Sequence, residues 1–438
     1  MTTVSVVGGG LAGCEAAWAL AERGAYVKLY EMRPGLQTPA HRTGDLAEIV
    51  CSNTFKSLEI INAHGLLKAE LGLIGSLLIE VAHEVRVPGG AALTVDRQQF
   101  SAAVTERIVG HPRIAVMREE VVELPSPGVV ATGPLTSDGL AAVIQQRLGL
   151  ESLAFYDAIA PIVSRESLRH AELYRSSRYG KGEGNDFLNA PLTRDAYEAF
   201  VDALIEGDQF VGHDFEAVPY FEGCLPLEEM ARRGRETLRF GPLKPIGLPD
   251  PRTGRDPYAV VQLRQEDRAG QMWNLVGFQT RLRIPEQKRV FTQLPGLGEA
   301  EFLRFGSIHR NTYLNSPAAL TPHLSAPDDD RLLFAGQLVG VEGYTESLAT
   351  GLLAGINLAR LVAGADPAMP PPETMLGALM RYVTQADPAH FQPMNANFGL
   401  LPPLDRPIRD KRARKEAMAA RALDSMQAFV ATLRSVVT

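Results

Sequence analysis

Cysteine is scarce in this chain of 438 residues, which contains only Cys14, Cys51 and Cys224. The three are far apart in the sequence, so they form neither a CxxC redox pair nor the thiol cluster of a structural zinc site. The sequence therefore argues against dithiol–disulfide exchange as the chemistry of this protein, and we expect no metal site.

Long apolar runs are also missing, because no window approaches the roughly 18 uninterrupted apolar residues of a membrane span. The first residues lead directly into an apolar strand, without the basic, apolar and small-residue parts of a signal peptide. Apolar residues make up 45% of the chain and charged residues 22%, which is ordinary for globular proteins. We therefore expect a soluble, cytoplasmic protein with no membrane association, and nothing in the sequence implies a stable protein partner.

Positive charge is not in excess overall. The formal net charge of −7 argues mildly against a protein that binds nucleic acid with its whole surface. The balance is reversed in residues 401–438, where eight basic and four acidic residues give a local charge of +4. Any contact with nucleic acid is therefore expected to be local.

The first 31 residues have the pattern of a dinucleotide-binding βαβ unit. The run Thr3–Val7 enters a glycine-rich turn, a segment of helical periodicity follows, and a second apolar run, Tyr26–Tyr30, ends on Glu31. Glu31 lies eighteen residues beyond Gly13, at the distance of a ribose-binding acid. Glycines at the first two fingerprint positions allow a pyrophosphate to approach the backbone, and the third allows close helix packing. The turn consists of Gly8, Gly9, Gly10, Leu11, Ala12 and Gly13.

Two later segments favour FAD over NAD as the resident nucleotide. Thr132 and Gly133 follow a strand, and Gly336 and Gln337 follow another strand before a glycine-bearing helix, as in FAD folds built from two chain segments. No second GxGxxG with a strand before it is evident, so we expect NAD(P)H to visit only transiently. The remaining predicted FAD contacts are Glu31, Met32, Arg33, Glu346, Ser347 and Gly351.

The chain exceeds the roughly 250 to 300 residues that a single hydrophobic core usually supports, which predicts at least two domains. We predict an α/β protein with a Rossmann-like, two-segment FAD-binding domain, an inserted α+β domain and a helical C-terminal region. The two parts of the FAD-binding domain are residues 1–150 and 296–366. The inserted domain, which is expected to bind the substrate, is residues 151–295, and the C-terminal region is residues 367–438.

Several short motifs, in order along nearly the whole chain, resemble one family, the folate- and FAD-dependent tRNA (uracil-5-)-methyltransferases. These motifs are the glycine turn, Tyr30-Glu31-Met32-Arg33-Pro34, Pro39-Ala40-His41, Glu48-Ile49-Val50-Cys51-Ser52-Asn53, Val95-Asp96-Arg97, Phe221-Glu222-Gly223-Cys224-Leu225-Pro226, Gly306-Ser307-Ile308-His309-Arg310-Asn311-Thr312-Tyr313 and Gly343-Tyr344-Thr345-Glu346-Ser347. The resemblance implies transfer of the methylene carbon of 5,10-methylenetetrahydrofolate to C5 of uridine 54 in the T loop of tRNA. Reduced flavin, regenerated by NAD(P)H, would be the electron source.

Uracil C5 becomes nucleophilic only after addition at C6, and a cysteine thiolate is suited to that addition. We hypothesise that Cys224, on a loop of the inserted region, attacks C6 and that Cys51 lies beside the flavin ring. The two thiols could have the opposite roles, and each could instead be a buried packing residue. Cys14, in the first turn of the dinucleotide helix, is expected to be structural.

The two substrates have their own candidate residues. In the family that the chain resembles, a histidine at the position of His309 faces the folate, and Arg310 and Asn311 are its predicted neighbours in that site. The densest basic cluster is predicted to bind tRNA phosphates, although a solvated helix face is the alternative. It consists of Arg406, Arg409, Lys411, Arg412, Arg414 and Lys415. A second candidate patch is Arg232, Arg233, Arg235 and Lys244.

Other functions remain open from the residues alone. An FAD and NAD(P)H oxidoreductase acting on a small metabolite without RNA would explain the fingerprint but neither Cys224 nor the basic cluster. The flavoenzyme that modifies the tRNA wobble uridine shares the FAD domain but has a longer helical C-terminal domain. A noncatalytic tRNA-binding protein would need only the basic patches.

Overall fold

The computed structural model describes residues 2–149, 153–210 and 225–434, and these residues form mixed α/β structure. Its strands are β1 (Thr3–Val7), β2 (Tyr26–Tyr30), β3 (Thr54–Ser57), β4 (Arg86–Val87), β5 (Ala92–Val95), β6 (Ile114–Met117), β7 (Gly128–Val130), β8 (Leu153–Ile159), β9 (Ile162–Ser164), β10 (Tyr174–Arg175), β11 (Phe187–Leu192), β12 (Ala259–Gln265), β13 (Met272–Leu275), β14 (Phe302–Arg304), β15 (Ser307–Tyr313), β16 (Ser325–Ala326) and β17 (Asp329–Phe334). Its helices are α1 (Leu11–Glu22), α2 (Ala63–Ile74), α3 (Leu77–Glu84), α4 (Arg97–Val109), α5 (Asp138–Leu148), α6 (Arg194–Glu206), α7 (Leu227–Arg233), α8 (Thr237–Phe240), α9 (Ile284–Phe291), α10 (Ser316–Ala319), α11 (Tyr344–Val362), α12 (Met375–Gln385) and α13 (Lys411–Arg434).

One of the two six-stranded sheets contains the predicted nucleotide-binding unit and has the order β16-β17-β7-β1-β2-β6. Its central strands are parallel, with β1 between β2 and β7, and β17 from the second half of the chain pairs with β7 in the same direction. Only β16 runs antiparallel, against β17. The predicted βαβ unit is present, and a late segment completes the same sheet, so the predicted two-segment Rossmann-like fold is confirmed.

A second sheet, β10-β11-β12-β13-β9-β14, is antiparallel and has a hydrophobic core of its own around the fully buried Trp273. Helices α6, α7 and α9 contribute buried side chains to that core. The sheet continues past residue 295, because Phe302 of β14 pairs with Val163 of β9. The predicted domain boundary after residue 295 stays a prediction, but it separates β14 from the rest of this sheet. The sequence did not indicate β14, because this short strand lacks a distinctive apolar pattern.

The C-terminal helices pack on the nucleotide domain. Buried residues of α12, such as Leu379, and of α13, such as Met426, belong to the same hydrophobic cluster as Val6 of β1. The N-terminus of α12 is capped by a buried carboxylate, since Glu70 of α2 accepts hydrogen bonds from the amides of Met375 and Leu376. Within the described ranges, none of the helices has both the length and the apolar character needed to cross a membrane.

Candidate functional site

An open cleft of about 1020 Å³, part of it continuous with solvent, lies where the carboxyl ends of β1, β2 and β7 meet the N-termini of α1 and α11. This is the position at which open parallel sheets bind nucleotides. The cleft is lined by Val7, Gly8, Gly9, Gly10, Leu11, Ala12, Tyr30, Glu31, Met32, Arg33, Thr38, His41, Glu48, Val50, Glu119, Glu120, Val121, Ala131, Thr132, Gly133, Pro134, Leu135, Thr136, Ser137, Leu140, Gly336, Gln337, Tyr344 and Ser347. Most of the predicted FAD residues are therefore brought together, although their contacts with FAD stay a prediction.

The glycine turn fits a bound pyrophosphate. Gly8 has a φ of +105°, and a Cβ there would lie 2.5 Å from the carbonyl oxygen of Ala131. A Cβ at Gly13 would lie 1.8 Å from the Gly8 carbonyl oxygen, so Gly13 is required for close packing of the turn. A Cβ at Gly10 would meet no atom within 4 Å, which leaves open space directly at the N-terminus of α1. Helix N-termini attract phosphate through their amide groups and dipole.

Glu31 is fixed at the end of β2 by Arg33 and the glycine turn. Its Oε1 accepts hydrogen bonds from the amide and Nε of Arg33 at 3.0 and 2.9 Å, and its Oε2 accepts one from the amide of Gly9 at 3.1 Å. Burial alone would raise the pKa of Glu31, but the hydrogen bonds and charge of Arg33 lower it overall. The carboxylate therefore stays ionised in the cleft wall.

His41 enters the cleft from the loop after β2. Its Nδ1 lies 2.6 Å from Thr38 Oγ1, and both residues line the cleft. Burial and the neighbouring charge of Arg33 lower the pKa of His41 to about 4, so the imidazole is neutral at neutral pH. A neutral imidazole can hydrogen-bond a ligand without adding charge.

Three predicted FAD residues do not line the cleft. Gly13 contacts Gly8, as described above, and Gly351 of α11 packs against the backbone of Ala12. The Glu346 carboxylate is buried beneath the cleft floor, where it accepts a hydrogen bond from the amide of Ala396 and lies 3.0 Å from His64 Nδ1. These residues support the elements that form the cleft.

Cys51 lies at the border of the cleft, in a segment that we call the Cys51 loop (residues 49–53). Val50 lines the cleft, and the hydroxyl oxygen of Tyr344 accepts hydrogen bonds from the amides of Cys51 and Ser52 at 2.9 and 3.1 Å. Tyr344 also lines the cleft, and burial raises the pKa of its phenol. The loop that bears Cys51 is thus tied to a wall of the nucleotide site.

Cys14 is placed differently. It is fully buried in α1 and donates its thiol hydrogen to the carbonyl oxygen of Gly9 at 3.3 Å. Burial raises the pKa of this thiol far above its ordinary value, which keeps it protonated and unreactive.

Comparison with known proteins connects this geometry to a family. The model of the family described as glucose inhibited division protein A (GIDA) matches residues 3–366. The chain is 57% identical to methylenetetrahydrofolate--tRNA-(uracil-5-)-methyltransferase TrmFO of Geobacter sulfurreducens over 98% of this chain and 99% of that protein. The TrmFO of Symbiobacterium thermophilum is 56% identical over 97% and 96% of the two chains, and that of Aquifex aeolicus is 54% identical over 98% and 96%. The chain belongs to the TrmFO family.

Solved structures agree with this assignment at the level of the fold. The structure of Aquifex aeolicus GidA in its form II crystal matches with a TM-score of 0.70 at 15% sequence identity, over 98% of this chain and 73% of that one. A likeness at this identity shows the common fold alone. The α/β fold predicted from the two nucleotide segments is therefore confirmed for this TrmFO-family chain.

The remaining predicted substrate residues of the TrmFO-family chain are only partly placed. Cys224 lies outside the described residues, as do the side chains of His309, Arg310 and Asn311. The backbone of β15, which carries these three, contacts the turns Gly133–Leu135 and Gly336–Val339, both of which contribute to the cleft wall. The predicted folate strand therefore runs beside the predicted flavin site.

The basic cluster is exposed around the start of α13, and every member is solvent-accessible. Arg412 pairs with Glu416 at 2.9 Å, and Lys415 Nζ lies 5.4 Å from the ring centroid of Phe398. Four of the cations are in the first two turns of the helix, where the helix dipole disfavours positive charge. In the second patch, Arg232 and Arg235 are paired with Glu229 and Asp202.

Sequence reasoning missed several side chains around Cys51. Tyr344 and Arg97 belong to motifs that resemble the TrmFO family, and these motifs could have identified them as candidate site residues. Arg264 and Arg304 carry no motif, although Arg264 Nη2 donates to Ser52 Oγ at 2.7 Å and Arg304 Nη1 to the Val50 carbonyl oxygen at 2.9 Å. Among the described residues, no group of three or more potential metal-binding side chains is arranged to hold an ion.

Proposed function

We propose that this chain transfers the methylene carbon of 5,10-methylenetetrahydrofolate to C5 of uridine 54 in the tRNA T loop and completes its reduction to a methyl group. The observation that carries the proposal is the attachment of the Cys51 loop to Tyr344 at the edge of a nucleotide cleft. The near full-length similarity to proteins named as tRNA (uracil-5-)-methyltransferases supports it.

FAD is the group that the cleft fits. The open space at Gly10 supports a pyrophosphate at the start of α1, and the ionised Glu31 is proposed to bind the adenosine ribose. Gly133, Gly336 and Ser347 also line the cleft, and the N-terminus of α11 offers amide donors there. When bound, reduced FAD supplies the electrons that convert a methylene group to methyl, and NAD(P)H restores the reduced cofactor.

The thiols have complementary proposed roles. Addition of the Cys224 thiolate to uracil C6 forms a C–S bond and moves the electron pair of the C5=C6 bond toward C5, which then attacks the one-carbon donor. Loss of the C5 proton breaks the bond between the transferred carbon and its donor nitrogen, which leaves as the amine, and a methylene group remains on C5. Hydride from the reductant converts this methylene to methyl, and expulsion of the Cys224 thiolate restores the C5=C6 bond. Cys51, beside the cleft, is proposed to assist at the flavin, and the reverse division of the two roles remains the alternative.

The substrates are assigned to two surfaces. We propose that His309, Arg310 and Asn311 bind folate, because β15 runs beside the cleft. The basic cluster at the start of α13 is proposed to bind tRNA phosphates. We also propose the cytoplasm as the location of the protein.

A labelling experiment tests this function. FAD-loaded protein is incubated with an unmodified tRNA transcript, NADPH and 5,10-methylenetetrahydrofolate labelled in its methylene carbon, and the RNA is digested to nucleosides. We expect label in 5-methyluridine, loss of label in Cys224→Ala, and strong reduction in Cys51→Ala. The matched control is Cys14→Ala, which removes a buried and unreactive thiol. NADPH oxidation without label in RNA would instead support a small-metabolite oxidoreductase.

A further inference from the structure

The Cys51 loop is held by guanidinium groups of two domains, the nucleotide domain and the domain formed by the second sheet, which includes β14. Arg97, at the start of α4 in the nucleotide domain, donates through Nη1 to the carbonyl oxygens of Ile49 and Val50 at 3.3 and 2.9 Å. From β14 of the second sheet, Arg304 donates to the same Val50 oxygen at 2.9 Å. Two cationic side chains from different domains therefore share one acceptor directly before Cys51.

The residues after Cys51 are held by a third guanidinium. Arg264 of β12 donates through Nη2 to Ser52 Oγ at 2.7 Å and through Nε to Asn53 Oδ1 at 2.9 Å. The Asn53 side chain then donates to the carbonyl oxygens of Val95 and Gln265, at 3.0 and 2.9 Å, and so bridges the two domains itself. Cys51 is thus flanked on both sides by groups bound to arginine side chains of the second sheet.

This arrangement is electrostatically costly. Arg264 is only 8% exposed, and the carboxylate of Glu266, which pairs with Arg97, is 1% exposed. Burial lowers the pKa of Arg264 and of Arg304, and the positive charge of Arg97 lowers both further. Three guanidinium groups converge where neutral side chains could supply the same stability with less desolvation. A cost of this kind is explained if the exact position of the loop matters to the site.

We propose that Arg264 and Arg304 are positioning residues, which place Cys51 for the reaction by fixing the loop against Tyr344 and thereby make the site depend on docking of the second sheet. Charged hydrogen bonds are the stronger class. Loss of Arg264 removes the donor to the buried Asn53 Oδ1, and loss of Arg304 leaves the Val50 oxygen with Arg97 as its guanidinium donor. Removal of either arginine therefore removes charged hydrogen bonds from one side of the loop. The lining of the FAD cleft includes neither arginine, so the cleft keeps its shape. The inference rests on the proposed function for the role of Cys51, but the loop restraint itself is independent of turnover.

The first measurement is hydrogen–deuterium exchange of the amides of Cys51 and Ser52 in the FAD-loaded protein. We expect Arg264→Gln and Arg304→Gln to speed this exchange by roughly tenfold or more, because opening of the loop then breaks fewer charged hydrogen bonds. The matched control is Arg178→Gln, also in the inserted domain, where the guanidinium donates to the carbonyl oxygens of Lys244 and Ile246 away from the loop. Exchange at the loop should be unchanged in that control.

Lysine replacements separate positioning from general stability. Arg304 holds the loop through a single nitrogen atom bound to the Val50 oxygen, which an ammonium group can reproduce, so Arg304→Lys should restore slow exchange and activity. Arg264 uses two nitrogen atoms at once, so Arg264→Lys should not. If the glutamine variants do not fold, Ser52→Ala removes the Arg264 acceptor from the loop side and should also speed exchange.

Activity supplies the second readout. In the labelling assay, we expect kcat of Arg264→Gln to fall by roughly tenfold while KM for tRNA and for folate stays within about twofold, as for loss of an interaction that acts on the chemical step. Unchanged exchange in both glutamine variants, or faster exchange with an unaltered kcat, would overturn the proposal. If even the parent protein makes no 5-methyluridine, the proposed function fails while the exchange results still decide the restraint.

Discussion

Gly351 of α11 packs directly against the backbone of Ala12 in α1, so that a Cβ at position 351 would lie 2.2 Å from the Ala12 carbonyl oxygen. A rotamer change cannot relieve this overlap, because the neighbouring atoms belong to the backbone. The two helices whose N-termini meet at the cleft are therefore held in register by the absence of a side chain.

Gly351→Ala should for this reason destabilise the protein. Alanine is about 1 kcal/mol better than glycine within a helix, but the overlap forces α1 and α11 apart, and overpacking of this kind costs about 1 to 3 kcal/mol or more. We expect a net loss in the free energy of unfolding and weaker FAD retention, measured by denaturant unfolding and by flavin content. The control is Gly72→Ala in α2, where a Cβ would meet nothing within 4 Å. That variant should be slightly stabilised, and equal effects of the two would contradict the packing argument.

The glycine turn gives a second contrast, between a residue needed for packing and one needed for the ligand. Gly13→Ala places a Cβ 1.8 Å from the Gly8 oxygen and should lower both stability and FAD binding. Gly10 has an extended conformation and open space around it, so Gly10→Ala should change apoprotein stability by less than about 1 kcal/mol. It should nevertheless raise the Kd for FAD by about tenfold or more, because a methyl group then occupies the path of the pyrophosphate. Calorimetric titration of apoprotein with FAD measures this, and unchanged affinity in Gly10→Ala would contradict the placement of the phosphate.

The sequence was sufficient for the parts of the site that are local. The glycine turn, the acid at the end of β2 and the late strand before α11 are each defined by short spacings, and the structure gathers them in one cleft. Gly351 carried the same kind of signal but packs on Ala12, because the helix spacing that predicts a cofactor contact also suits close helix packing.

The network around Cys51 could not be predicted in the same way. Arg97, Arg264 and Arg304 are on separate elements, and the residues around each of them give no indication that the three side chains meet. Their convergence is a consequence of how the second sheet docks on the nucleotide domain. For Glu346, its place at the start of the glycine-bearing helix predicts an FAD contact, whereas its burial against His64 depends on the return of the chain at Ala396.

Glu346 supplies a prediction about pH. Burial would raise its pKa, but His64, the positive charge of Lys56 and the Ala396 amide lower it to about 2, from an ordinary value of 4.5. Because the folded pKa is the lower one, ionised Glu346 stabilises the fold fully above about pH 4.5 and loses this contribution as the pH falls toward 2. The shift corresponds to about 3 kcal/mol. We therefore expect the free energy of unfolding of Glu346→Gln to fall less steeply than that of the parent between pH 5 and pH 2.

Urea unfolding at a series of pH values measures this difference. Glu416→Gln, which removes an exposed carboxylate paired with Arg412, is the control and should run parallel to the parent protein, because exposed ion pairs contribute little. A constant offset between the parent and Glu346→Gln over the whole range would show that the carboxylate does not titrate in the predicted way.

The basic cluster gives the last prediction, on tRNA binding. Arg409, Lys411 and Arg414 are exposed around the first turn of α13, where positive charge opposes the helix dipole, so a phosphate backbone would relieve that repulsion. Replacing all three with glutamine should weaken binding of any tRNA sequence and reduce the slope of log K against log salt by about 0.9 for each phosphate that is no longer neutralised. Anisotropy titrations of labelled tRNA at several salt concentrations measure both quantities.

Arg381→Gln, an exposed arginine on α12, is the matched control, since a purely long-range effect of net charge would appear there as well. A solvated helix face with no role in RNA binding predicts instead that the triple variant keeps the salt slope and affinity of the parent.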